Sequence, residues 1–219
     1  MSIENEDADS RMAIISAAFN LFSEIGYSRT SYSAIAKLSG SGRPLVQYYF
    51  PKKEQLAIKL IEELMASIDD ALESEGDDPI ARMLRMGQVY YTALVSTDGM
   101  LRFASDVLAD RAITSRIVML NANWSLPLLG YQGEAVNETR ASLQATGGVY
   151  ELLYRDIVDG CVGDPELYSI QNVASFLVFC KTGMYSEQVD LLREQTMSKK
   201  EAETLASKAL GKVLGARAS

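Results

Sequence analysis

The sequence predicts an all-α protein, with a small N-terminal helix-turn-helix unit leading into a larger helical body. Three observations predict it. Apolar residues recur at three- and four-residue spacing along most of the 219-residue chain. Short alternating runs bounded by hairpin turns are scarce, so strands have little support. The periodic runs are separated by Gly, by Asp-Pro pairs and by Ser or Thr followed by helix-forming residues, the signals that stop and start helices.

The first helix is expected from about Ser10 to Ile25, because Ile15, Ala18, Phe19, Phe22 and Ile25 share helical spacing and Gly26 supplies the stop. Thr30 or Ser31 is positioned to cap a short second helix whose Ile35 and Leu38 face inward, and Gly40 and Gly42 break it. The segment from Gly40 to Leu56, GSGRPLVQYYFPKKEQL, then sets three aromatics between Pro44 and Pro51. That spacing leaves room for about two helical turns. A long helix follows from Lys53 to Glu75, with Leu56, Leu60, Leu64, Ile68 and Leu72 expected as its apolar stripe. Asp78 with Pro79 starts another helix, and Asp164 with Pro165 repeats the device. Between them lie expected helices near Asp98–Ala109, Ile113–Asn123 and Val136–Asp159, and Ser198 with Glu201 forms a capping box for a last helix ending near Leu214. The stretch from Leu167 to Cys180 has no charge in 14 residues, so it is either a central core helix or half core and half subunit interface.

Charge is distributed unevenly. The net charge is −8, yet residues 10–56 carry six bases against two acids, while residues 1–9 carry four acids and no base. A basic head on an acidic body is the asymmetry of a protein whose head alone meets phosphate. Residues 1–9 are expected to be an acidic disordered tail, 10–52 the helix-turn-helix domain and 53–219 the body, with 53–75 as connecting helix.

Composition narrows the chemistry. The chain has no histidine, which removes the usual general base of nucleophilic triads and the commonest zinc ligand, so no catalytic site, metal or cofactor is expected. Cys161 and Cys180 sit among apolar residues without metal-type spacing and are expected as buried thiols. The longest uncharged stretch, Ile117 to Gly133, is interrupted by Asn121, Asn123 and Pro127, which argues against a membrane span. The acidic N-terminus lacks the apolar core of a secretory signal, so a cytoplasmic location is expected.

Thr30, Ile35, Ala36, Gly40, Tyr49, Phe50, Lys53 and Glu54 occur in the order typical of the N-terminal domain of TetR-family transcriptional regulators, which residues Arg11–Leu56 resemble. The sequence departs from the pattern at Ser41, where Val or Ile is usual, at Gly42, where Ser is common, and at Lys52, where a small polar cap is usual. The resemblance implies a homodimer that regulates transcription from a double-stranded, palindromic DNA operator and, as a repressor, leaves it on binding a small-molecule effector of unknown identity. It also implies residue roles. Gly42, Arg43, Pro44 and Leu45, with Gln47 and Tyr48 one turn on, occupy the DNA-reading positions, and Thr30, Ser31 and Lys53 those of phosphate contacts. Bland alternatives stand beside these: Tyr49 and Phe50 as core, Leu45 packing inward, and Lys52 and Lys53 as solvated charge. An effector pocket is expected among Met86, Tyr90, Phe103, Met119, Trp124 and Tyr154, and a dimer interface at Leu167, Ile170, Ala174, Leu177 and Val178. The alternative from another class is a DNA-anchored interaction protein whose acidic body recruits a protein partner.

Overall fold

The computed structural model describes residues 3–72, 78–131 and 136–180, and among these every regular element is a helix. In order they are α1 (Ile3–Ile25), α2 (Tyr32–Ser39), α3 (Arg43–Tyr49), α4 (Glu54–Ala71), α5 (Pro79–Val95), α6 (Asp98–Ala109), α7 (Arg111–Leu128), α8 (Val136–Asp159) and α9 (Pro165–Cys180). The expected bounds of α6 and α8 coincide with those observed. No helix among the described residues is long and apolar enough to cross a membrane. The expected last helix, Ser198 to Leu214, lies outside the described residues, as do residues 73–75 at the expected end of α4.

Caps explain the starts. Asp78 accepts from the Ala81 amide at 3.1 Å, Thr97 from Met100 at 3.1 Å, and Asp110 from Ala112 and Ile113 at 2.9 and 3.2 Å. α1 begins earlier than expected, its first turns formed by residues 3–9, which the sequence suggests as a tail. The sequence there is rich in acids, a composition that suits the positive end of a helix dipole. α7 extends past the expected Asn123 to Leu128, with Pro127 in its final turn.

The stripe on α4 differs from the expected one. Its buried residues are Leu56, Ala57, Ile58, Ile61, Met65 and Ile68, whereas Leu60 and Leu64 are half-buried. A strict four-residue repeat gains about 40° per turn on a 3.6-residue helix, so leucines picked at that spacing wind off the packed face. On α2, Ile35 is buried as expected, but Leu38 is exposed, because the inward face of that short helix is filled by Ile35 and Ala36. Cys161 is a further correction: it is exposed in the α8–α9 loop, just after Gly160 ends α8. The side chain of Cys180 lies outside the described ones.

One buried cluster runs without interruption from Ile14, Phe22, Ile35 and Val46 through Leu56 and Ile61 to Tyr91, Phe103, Ile117 and Tyr150. A smaller one gathers Met83, Leu126, Val173 and Phe176. α1 joins the two ends of the large cluster, because it packs on α2, α3 and α4 and also on α6. The α1–α6 seam is close. Phe22 stacks on Phe103 with ring centroids 5.6 Å apart, Arg102 Nη2 donates to the Glu24 carbonyl at 3.0 Å, and the Ser28 amide donates to Asp106 Oδ2 at 2.6 Å. Gly99 permits the approach, since a Cβ there would overlap the Ser23 carbonyl and the backbone of Glu24.

Two outcomes follow for stability. Gly99→Ala is expected to cost about 1–3 kcal/mol in urea unfolding, as overpacking against rigid backbone does. The second concerns Tyr90, Tyr91 and Tyr150, whose phenols burial holds protonated above their ordinary range. Folded pKa values above the unfolded one mean that their contribution is fully present below about pH 10 and lost as pH rises beyond it. Unfolding free energy measured against pH should therefore fall above about 10, and Tyr90→Phe should flatten that decline.

Candidate nucleic-acid interface and body cavity

α2 and α3 form the helix-turn-helix. Ser31 caps α2, its hydroxyl accepting from the Ala34 amide at 3.1 Å, and Gly40 ends it in the left-handed region at φ 69°, a conformation that glycine adopts without strain. The Gly40 amide and that of Ser41 both return to the Ala36 carbonyl. Gly42 then caps α3 without a side-chain hydrogen bond, and Pro44 sits in the first turn, where a missing N–H costs nothing.

α3 has two faces of opposite character. Val46 and, at its end, Phe50 are buried, and Tyr49 packs partly against the core. Gly42, Arg43, Pro44, Leu45, Gln47 and Tyr48 are all exposed, Leu45 at 36% and Tyr48 at 76%. Leu45 therefore does not turn inward. A second fixing point is Tyr32, whose hydroxyl donates to the Phe50 carbonyl at 2.8 Å.

Beside Arg43 lies an open cleft lined by Ser28, Thr30, Ser31, Tyr32, Ser33 and Lys53. It sits over the first turn of α2, where unpaired amides and the helix dipole favour an anion. Thr30 requires a correction. It is 1% exposed and its hydroxyl donates to the Gly26 carbonyl at 2.8 Å, so the side chain braces the α1–α2 loop. Ser31 and Ser33 are the exposed hydroxyls of that turn. Sequence reasoning misses Ser33, though its place in the first turn after the cap is a readable signal.

Lys53 has more structural duty than its sequence position suggests. Its ammonium donates to the carbonyls of Tyr27 at 2.8 Å and Thr30 at 2.9 Å and lies 4.2 Å from the centroid of the Tyr27 ring. Desolvation lowers its pKa, with Asp106 opposing, while desolvation and Asp110 push Tyr27 up to about 12. Two of three ammonium protons are engaged, which leaves one for a phosphate in the cleft. Lys52, by contrast, is solvated, with Glu54 at 3.8 Å.

The body holds a partly open cavity of about 20 Å³. Its walls are Met65 from α4; Met83, Met86, Gly87, Tyr90 and Tyr91 from α5; Asn121, Trp124 and Ser125 from α7; and Ser169, Asn172 and Val173 from α9. Of the expected pocket residues, Met86, Tyr90 and Trp124 line it. Phe103 is instead sealed in the α1–α6 seam, Met119 is 38% exposed on the outside of α7, and Tyr154, half-buried on α8, is not among the lining residues. Size and hydrophobicity select those three without fixing which way their helices turn. Asn121, Asn172 and Ser169 escape a sequence reading because small polar residues in apolar helices carry no periodic signal.

α9 is two-faced as well. Tyr168, Ser169, Val173 and Phe176 are buried, whereas Leu167, Ile170, Ala174 and Val178 are exposed, Leu167 at 55% and Val178 at 67%. Leu177 is the exception among the expected interface residues, because it packs partly against the smaller core cluster.

Comparison with known proteins agrees with this geometry. Residues 14–60 match the model of bacterial regulatory proteins of the tetR family. The HTH-type transcriptional regulator EthR of Mycolicibacterium smegmatis is 28% identical over 104 residues, covering 46% of this chain and 48% of EthR. RutR of Escherichia coli K12, also an HTH-type transcriptional regulator, is 38% identical over 55 residues, 25% of this chain and 26% of RutR. The chain thus spans half or less of the length of the curated relatives it matches. The fold extends further. A TetR transcriptional regulator from Rhodococcus sp. RHA1 aligns with TM-score 0.63 at 14% identity over 81% of this chain and 99% of that one. One from Streptomyces coelicolor aligns with TM-score 0.56 at 18% identity over 98% and 100%. Residues 14–60, built as a capped helix-turn-helix, thus match the tetR family of bacterial regulatory proteins, and the helical body shares the fold of solved TetR regulators.

Proposed function

We propose that the chain is a sequence-specific DNA-binding transcriptional regulator, a repressor that a small-molecule effector releases from a palindromic operator. One observation carries the reading: α3 exposes Arg43, Leu45, Gln47 and Tyr48 together while Val46 and Phe50 anchor it from behind. A helix held rigidly with its polar edge outward is the form that enters a major groove. Arg43 offers a two-pronged donor to guanine, Gln47 a donor and acceptor to adenine, and Leu45 a contact for a thymine methyl. Tyr48, Ser31 and Lys53 contact phosphate in this reading, which fixes register without reading sequence.

One such head reads few bases, so the active form is a homodimer with its reading helices about 34 Å apart. Support comes from the outer face of α9, where Leu167, Ile170, Ala174 and Val178 form an uncharged stripe. The uncharged cavity between α4, α5, α7 and α9 supports a small-molecule effector as the reading of the body.

Selection of bound duplexes from a random pool tests the reading, with a palindromic consensus expected. Arg43→Ala should cost about 1–3 kcal/mol in binding and relax the preference at one position of each half-site. Recovery of no sequence preference by the wild type would overturn specific regulation. Lys53→Ala should weaken binding to all sequences about equally and lower the salt slope by about one. Because Lys53 also holds two carbonyls, its loss should cost about 1–2 kcal/mol in urea unfolding, an effect Lys52→Ala should lack.

A further inference from the structure

The side chains around the body cavity specify more than its presence. Among its lining residues none carries a charge, and Met65, Met83, Met86 and Trp124 supply most of the apolar wall. The polar atoms are amides and hydroxyls, and their hydrogen bonds do not balance. Tyr150 Oη donates to Tyr90 Oη at 3.2 Å, and the proton of Tyr90 meets no acceptor among the described residues. Two phenols joined by one hydrogen bond leave one proton over whichever of them donates. Thr146 bridges the two asparagines, at 3.4 Å from Asn121 Oδ1 and 3.1 Å from Asn172 Oδ1. Thr146 has one proton for the two oxygens, and the N–H group of Asn121 meets no acceptor among the described residues.

Two further acceptors of the same network are occupied. Tyr91 Oη accepts from the Asn172 amide at 3.3 Å, and the Leu84 carbonyl accepts from Ser169 at 2.7 Å. The phenol and amide protons therefore outnumber the contacts that claim them. Tyr90 is only 5% exposed, so its unclaimed proton cannot turn to bulk water. A buried donor without an acceptor is unfavourable, and a guest that supplies an acceptor removes the penalty.

Space and charge narrow the guest. At about 20 Å³ the cavity has room for one water, so a larger molecule enters only as its walls repack. Three methionines, with flexible and polarisable side chains, are suited to that. A carboxylate, phosphate or ammonium would lose its hydration without meeting an opposite charge among the lining residues.

We propose that the effector is an uncharged molecule with an apolar body and a hydrogen-bond-accepting oxygen of the carbonyl type, held by Tyr90 and Asn121. This rests on the reading of the body as ligand-responsive. Three molecules of nearly one shape separate the possibilities: cyclohexyl methyl ketone, isopropylcyclohexane and cyclohexanecarboxylate, each titrated into the full chain near neutral pH. Trp124 is the sole tryptophan and lines the cavity, so its fluorescence reports occupancy directly.

The ketone should change that signal saturably and bind roughly five- to tenfold more tightly than the hydrocarbon, the factor worth one neutral hydrogen bond. The carboxylate should leave the signal unchanged where the ketone saturates. Tyr90→Phe, with its fold checked by thermal unfolding, should bring ketone and hydrocarbon closer together. Should that variant not fold, Asn121→Leu is read in its place. Equal binding of ketone and hydrocarbon by the wild type, tighter binding of the carboxylate, no response to any of the three, or an undiminished preference in the folded variant would each overturn the proposal. Operator release is measured separately. Ketone binding without release removes the ligand-release reading and leaves the cavity's chemistry standing, whereas release by the carboxylate alone does the reverse.

Discussion

The stacking of Phe22 on Phe103 is the contact on which the arrangement depends. It lies where α1 meets α6, and it makes one apolar core of what the sequence divides into head and body. Around it the contacts become specific. Gly99 brings backbone to backbone, Arg102 reaches the last turn of α1, and Asp106 takes the Ser28 amide in the loop that leads to α2. A close-packed seam of this kind does not deform smoothly, so a displacement of α6 is passed to α1 and to the loop behind the helix-turn-helix. Arg102 Nε is buried there without a hydrogen bond among the described residues, a cost the surrounding packing offsets.

Lys53 makes the corresponding connection from the other side. Its ammonium ties the start of α4 to the carbonyls of Tyr27 and Thr30, the loop that Asp106 also grips. The α1–α2 loop is consequently held from α4 and from α6, the helices that join head to body. Thr30 braces the same loop from inside. The residues that look like phosphate ligands in the sequence are thus divided: Ser31 faces solvent, Thr30 is internal, and Lys53 is held by two backbone carbonyls at the edge of the cleft.

Much of the fold is legible because helix signals are local. Caps at Asp78 and Thr97, stops at Gly26 and Gly40, and the periodic runs between them depend on residues a turn apart. The helix-turn-helix is legible for the same reason, since the alternation of Val46 and Phe50 with Arg43, Leu45, Gln47 and Tyr48 separates the buried face of α3 from its exposed one. Rotation of a helix about its axis is less legible. Along α4 the four-residue leucine repeat drifts off the packed face, Leu38 turns outward on α2, and Phe103, Met119 and Tyr154 share size but point to different surroundings. Burial is decided by neighbouring helices, and no local pattern names those neighbours. The cavity's asparagines are hidden for a related reason, because a polar residue in an apolar run reads as an interruption until its partners are known.

The two sites are opposite in physical design, and each follows from its surroundings. At the surface, Arg43 and Lys53 line an open cleft whose proposed partner is phosphate. In the body no residue lining the cavity carries a charge, and on the proposed reading selectivity comes from neutral donors and acceptors. Hydrogen bonds between Tyr90 and Tyr150 and between Asn172 and Tyr91 tie α5 to α8 and α9, so a guest that claims the Tyr90 proton acts on contacts that also position these helices. α5 packs on α6, and α6 on α1. A repacking that begins with uncharged hydrogen bonds in the cavity therefore reaches, through the Phe22–Phe103 seam, the loop that holds the charged reading head.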